Sequence, residues 1–184
     1  MKKLLLYVLM FSVLASCSVF VRQNNKYAAD YQAMDDKELA EKYLTLSVNQ
    51  KLDFSYVRKN EAYFSSGNND TFQILVFSGE GFVYHSQLMP ISMLSKPFAM
   101  QKLIKNGIVS IDRTVFKRET VAAHPGSVYS IIEEGIVKND TIFMQKRYQT
   151  KGFRNESTLS HELVLLPKVK VMTLGDDIFI ESKG

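Results

Sequence analysis

The chain has one cysteine, no tryptophan and only four prolines in 184 residues. A lone thiol excludes an internal disulfide, so stability has to come from a packed core rather than from staples. Zinc-ligand spacing is missing as well. The three histidines, His85, His124 and His161, are far apart, and no HxH or HExxH pattern joins them. Each is expected to be an ordinary core or surface histidine. There is no GxSxG elbow, no SxxK pair and no Walker A sequence. Gly79-Glu80-Gly81 begins a GxGxxG, but Tyr84 stands where the third glycine belongs. Charge of one sign is scarce too: 23 basic residues face 19 acidic ones, a formal +4. That excess does not point to nucleic acid. The sequence therefore names no catalytic residue, no cofactor and no metal ligand. What is present, 46% hydrophobic and 23% charged residues, is the composition of a folded domain.

The N-terminus carries the strongest local signal. Lys2 and Lys3 precede a ten-residue apolar run, Leu4 to Val13. That run is too short to span a hydrocarbon core, which takes about twenty helical residues, but it suits an export signal. Leu14-Ala15-Ser16-Cys17 follows, which resembles the lipobox of type II signal peptides: aliphatic, small, small, cysteine. The resemblance implies cleavage after residue 16, a diacylglyceryl group on the sulfur of Cys17 and a further acyl chain on its freed amine. Several chains hold a protein firmly where one holds it marginally. Ser18 carries no inner-membrane retention aspartate, so the implied address is the outer membrane, on its periplasmic face. Loss of Lys2 and Lys3 leaves 21 basic residues against 19 acidic ones. The expected division is a signal over 1–16, a lipidated cysteine and tether over 17–30, and one β-rich domain over 31–184. The thirteen residues after Cys17 reach at most about 45 Å when extended, enough to stand off a membrane but not to cross a periplasm.

The fold class expected is mainly β (α+β). Asp35 and Glu38 form a capping box, and Leu39, Tyr43 and Leu46 follow at i, i+4 and i+7, which predicts an amphipathic helix over 36–50. Pro97 and Gly107 suit the two ends of a second, short helix over 97–106. Strands are predicted at 71–77 and 81–86 around a Ser78-Gly79-Glu80-Gly81 turn, and at 127–137 and 141–149 around Lys138-Asn139-Asp140. Others are predicted at 108–119, 157–166, 168–174 and 177–182. Short turns between them suggest an antiparallel meander with the N-terminal helix packed on it. Two stretches, ILVF and LVLL, are apolar on both faces. A helix lying across one face would cover them, and so would closure into a lipocalin-like barrel.

Among charged groups, Glu133 and Glu134 are adjacent on one strand and point to opposite faces, so they cannot form a catalytic pair with each other. Glu119 pairing with either of them stays open. The basic-aromatic stretch from Lys146, Arg147 and Tyr148 to Lys151, Phe153 and Arg154 reads as a solvated hairpin end, or as a contact for anionic glycan or lipid headgroups. Asp140-Thr141-Ile142 resembles the O-glycosylation signal on exported proteins of one bacterial phylum, which makes Thr141 a candidate acceptor; a turn aspartate before a strand threonine accounts for it equally well. The mature part resembles small β-rich envelope lipoproteins with repeated hairpins, a resemblance that carries no activity. The expected function is a membrane-anchored, non-catalytic domain that binds or scaffolds something at the envelope, an envelope protein or a hydrophobic ligand. A carrier of a hydrophobic ligand in a barrel cavity and an envelope hydrolase are the alternatives.

Overall fold

Residues rich in β-branched and aromatic side chains, broken by two-residue turns, can bury their apolar faces by curling one sheet onto itself. The chain does so. The computed structural model describes residues 44–66, 70–124, 127–150 and 156–182. Twelve strands occur: β1 (Ala62–Ser66), β2 (Thr71–Phe77), β3 (Phe82–His85), β4 (Met89–Pro90), β5 (Gln101–Lys102), β6 (Ile104–Asp112), β7 (Val115–His124), β8 (Ser127–Lys138), β9 (Thr141–Gln149), β10 (Ser157–Leu165), β11 (Val169–Leu174) and β12 (Asp177–Ser182). Eight of them, β1–β3 and β6–β10, pair antiparallel with their neighbours in chain order, and β10 returns to β1. The result is a closed up-and-down barrel, which removes the sheet edges. β11, β12 and β5 form a separate three-stranded sheet.

The expected strands at 71–77 and 141–149 are found at those limits. The β8–β9 turn is a two-residue one in which Asn139 and Asp140 take positive φ, 51° and 59°. Asn and Asp tolerate that region, and such turns follow the right-handed twist of a hairpin. The single strand expected over 108–119 is instead a hairpin. Arg113, at φ 56°, turns the chain, so Asp112 pairs with Val115 and Ile111 with Phe116.

Both helix expectations are corrected where the chain is described. Residues 97–106 are not helical. Gln101 and Lys102 pair with Ile180 and Phe179 of β12, and Ile104 and Lys105 pair with His85 and Tyr84 of β3, so sheet pairing takes the backbone groups a helix would need. Of the helix expected over 36–50, residues 36–43 lie outside the described residues. Its last part is a single 3-10 turn, Leu46–Asn49, after which Gln50 is extended. The amide of Leu46 is held by the Glu119 carboxylate at 2.7 Å.

Two cores follow from the period of two. Inside one half of the barrel, Tyr63, Leu75, Phe77, Val83, Val109, Ile111, Phe116, Val137, Ile142 and Leu163 pack together. Val57, from the segment that precedes β1, is buried with them and closes that end. Tyr63, Phe77 and Phe116 form a chain of tilted rings with centroids 5.2 Å apart at each step, within the range of favourable aromatic contact. Outside the barrel, Phe72, Ile74 and Val76 of β2 pack against Leu103, Val169, Ile178 and Ile180. The doubly apolar ILVF stretch thus lines a closed barrel, one of the two anticipated causes, while its outer cover is the small sheet rather than the expected helix.

Candidate functional site

Three successive strands each carry a pair of charged residues: Lys117-Arg118 on β7, Glu133-Glu134 on β8 and Lys146-Arg147 on β9. Register sets Arg118 opposite Glu133 and Lys117 opposite Glu134. It also sets Arg147 opposite Glu133 and Lys146 opposite Glu134. Two parallel ion triads result, one on each face of the wall. Glu133 and Glu134 do point to opposite faces, as their adjacency requires.

The outer triad is the ordinary one. Lys117 Nζ lies 2.6 Å and Lys146 Nζ 2.9 Å from the Glu134 carboxylate, and the Tyr148 hydroxyl donates to it at 2.8 Å. These donors outweigh its partial burial and hold the Glu134 carboxyl down at about 2.

The inner triad lies within the barrel. Arg118 shares its phase with Phe116, and Glu133 shares its phase with Val137, both in the interior core. The Glu133 side chain is 3% exposed and that of Arg118 12%. Arg118 donates Nε–H to Glu133 Oε2, and Arg147 Nη2 forms an ion pair with Oε1 at 2.9 Å. Burial pushes the Glu133 carboxyl up, but the two guanidiniums outweigh it and its pKa is lowered. A buried carboxylate survives ionised only with such partners. His161 faces the same space from β10, in phase with Leu163. Burial first, then Arg118 and Arg147, lower its pKa below the ordinary imidazole value, against the pull of Glu133. On the facing wall, Gln73 donates to His85 Nδ1 at 2.8 Å and to the Ser86 carbonyl at 2.9 Å.

The barrel interior is therefore divided. One end is a sealed apolar core. The other, toward which β9 and β10 carry Arg147 and His161, is lined by charge, and the Arg147 side chain is 49% exposed there.

A β-bulge creates this site. Between Glu134 and Gly135 the register slips, so Gly135 pairs with Met144 while Glu134 pairs with Lys146. Met144 and Arg147, three residues apart, then both face inward, which strict alternation forbids. A side chain on Gly135 would meet the Phe143 carbonyl at 2.6 Å, so the crossing needs glycine there.

Glu119 does not join either triad. It is fully buried on the outer face of the barrel and accepts hydrogen bonds from Ser130 Oγ, Thr45 Oγ1 and the Leu46 amide. Its role is to strap residues 44–46 to the wall. Among the described residues, neither His85 nor His161 hydrogen-bonds to a serine or threonine hydroxyl, and no group of three or more His, Cys, Asp or Glu side chains is placed to hold a metal. His124 ends β7 opposite Ser127. Thr141 begins β9, half-buried, directly after the turn at Asp140. Cys17, together with Lys151, Phe153 and Arg154, lies outside the described residues. The basic-aromatic stretch is split by the bulge: Lys146 and Tyr148 face out, Arg147 faces in.

A cleft of about 1180 Å³ opens elsewhere, outside the barrel, among Tyr84, Met89, Met93, Leu103, Ile104 and Ile178. Its apolar wall belongs to the second core. Of its two lysines, Lys102 is paired with Asp177 at the surface, with side-chain exposures of 58% and 45%, and Lys105 lies over the Phe82 ring. It holds no buried charge, whereas the barrel interior does, so the inner triad is the better-built site. Compared with known protein families, curated proteins and solved structures, the chain matches none.

Proposed function

We propose that this chain is a lipid-anchored envelope protein whose β-barrel is a non-catalytic binding domain. In this reading the signal is removed before Cys17, acyl chains on Cys17 hold the protein to the outer membrane, and the barrel stands off the bilayer on the residues that follow. The observation that best supports a binding role is the inner triad. Two arginines and a glutamate inside a barrel cost desolvation, and a packed apolar cluster would stabilise the fold as well or better. Charge that is held inside a barrel and still reaches solvent, as Arg147 does at 49% exposure, is in position to meet a ligand.

A hydrophobic carrier is the weaker reading. An eight-stranded barrel is just wide enough to be filled by side chains or to hold one small ligand, and here Tyr63, Phe77 and Phe116 stack through the apolar half of the interior.

The test of the anchor is Cys17→Ala. Membrane fractionation and acyl-chain labelling should both be lost while the circular dichroism of the barrel is unchanged. Retained labelling would refute the anchor.

A further inference from the structure

We infer that the charged end of the barrel is a receptor for an oxyanion, a phosphate or carboxylate group bound across Arg118 and Arg147. This rests on the reading of the barrel as a binding domain. The argument begins with counting donors. Each guanidinium carries five N–H groups in a rigid fork matched to phosphate and carboxylate oxygens. Arg118 commits its Nε–H to Glu133, and Arg147 pairs with the same carboxylate through Nη2. Among the described residues, no other acceptor meets either group. None of the remaining Arg118 nitrogens is sealed from solvent without a partner, and the Arg147 side chain is 49% exposed. Both guanidiniums therefore keep donors in reach of solvent, and they are held in place by the carboxylate between them.

The charge count agrees. The site sets two cations against one carboxylate, with Glu133 3% and Arg118 12% exposed, and away from water an uncompensated charge is felt strongly. His161 feels it already, since the same two arginines help to keep its ring neutral. A neutral imidazole can still donate one N–H to an oxyanion. Glu133 plays two parts. It orients the forks, and it is the internal anion with which any ligand has to share them. The outer triad offers no such site: Glu134 is matched by Lys117, Lys146 and Tyr148 on an open face. The source of the oxyanion is either a free small anion or the headgroup of an anionic lipid.

The experiment is calorimetric titration of the full chain, in non-ionic detergent at low ionic strength, with inorganic phosphate, acetate and glycerophosphoglycerol, the deacylated headgroup of phosphatidylglycerol. Phosphate or acetate should bind. Arg147→Gln should weaken binding about tenfold or more, and Arg147→Lys, which keeps the charge but loses the fork, should fall between. Glu133→Gln, by removing the competing internal anion, should tighten binding severalfold, an effect that a purely structural ion triad does not produce. Comparable binding of the phosphodiester assigns a lipid headgroup; preference for inorganic phosphate or acetate assigns a free anion. Circular dichroism checks each variant's fold, and the Arg147 pair carries the test if Glu133→Gln unfolds. If none of the three probes binds at millimolar concentration, or if binding ignores the Arg147 substitutions, the inference is wrong. Cys17→Ala should leave the phosphate titration unchanged and Arg147→Gln should leave membrane fractionation unchanged, so the two readings fail separately.

Discussion

Glu133 and Glu134 offer an internally controlled measurement, because neighbouring residues on one strand make nearly the same cross-strand pairs in two different surroundings. Replacing Glu133 with alanine strands Arg118, whose side chain is only 12% exposed, with no counter-charge. Removing one partner of a buried pair costs about 3–5 kcal/mol, most of it the penalty of the abandoned charge. For a domain of this size that lowers the melting temperature by on the order of 10 °C. Replacing Glu134 leaves Lys117 and Lys146, 35% and 45% exposed, free to take up water, and costs about 1 kcal/mol or less. Urea unfolding of the wild type and both variants should therefore show a clearly larger fall in midpoint for Glu133→Ala, with unchanged slope. Arg118→Met, Glu133→Leu and Arg147→Met combined should recover most of the loss, since a satisfied apolar cluster removes the desolvation cost. Equal losses for the two glutamates, or a triple variant no more stable than Glu133→Ala, would refute the assignment of Glu133 to the barrel interior.

Further outcomes follow from the same geometry. Both carboxyls titrate lower in the fold than when free, so their stabilisation is complete above the ordinary carboxylate pKa and falls away in acid, for Glu134 as pH drops from about 4.5 toward its folded value of about 2; the acid limb of the stability profile should be shallower in Glu134→Gln. Tyr63 is pushed up to about 12 by burial, so its contribution holds below pH 10 and is lost between about 10 and 12; Tyr63→Phe should flatten the alkaline limb of the same profile. Phe77→Ala removes the central ring of the interior stack and should cost about 3–5 kcal/mol in urea unfolding. Gly107→Ala would set a methyl carbon 2.0 Å from the Glu119 carbonyl, forcing β6 from β7; a loss of about 2 kcal/mol or more is expected, and a neutral result would contradict that close approach.

Most strands were legible in the amino-acid sequence. Val, Ile, Phe and Tyr runs bounded by Asn-Asp and Gly-Glu turns specify extended chain through local sterics alone, and β2 and β9 needed nothing else. Glu133 and Glu134 had to face opposite ways because the pleat allows no other arrangement. The export signal proposed for residues 1–16 would likewise be written in contiguous residues, to be read by enzymes before any fold exists. Where contiguous residues gave conflicting advice, the tertiary structure decided. Capping and periodicity favoured a helix through Leu46, but the amide of Leu46 found a carboxylate 73 residues away on β7. Pro97 and Gly107 framed a helix that sheet pairing to β12 and β3 displaced. The ILVF stretch announced that both its faces were covered without saying by what, because the cover comes from the last strands of the chain. The site was the least legible part. Its dyads, Lys117-Arg118, Glu133-Glu134 and Lys146-Arg147, stand in the sequence, yet counting by twos from Ile142 and Met144 places Lys146 inward and Arg147 outward. One extra residue at the Gly135 bulge inverts that. Local residues fix what each strand is. Register, closure and a single bulge fix which charges share the interior, and those are properties of pairing between strands that no one strand carries.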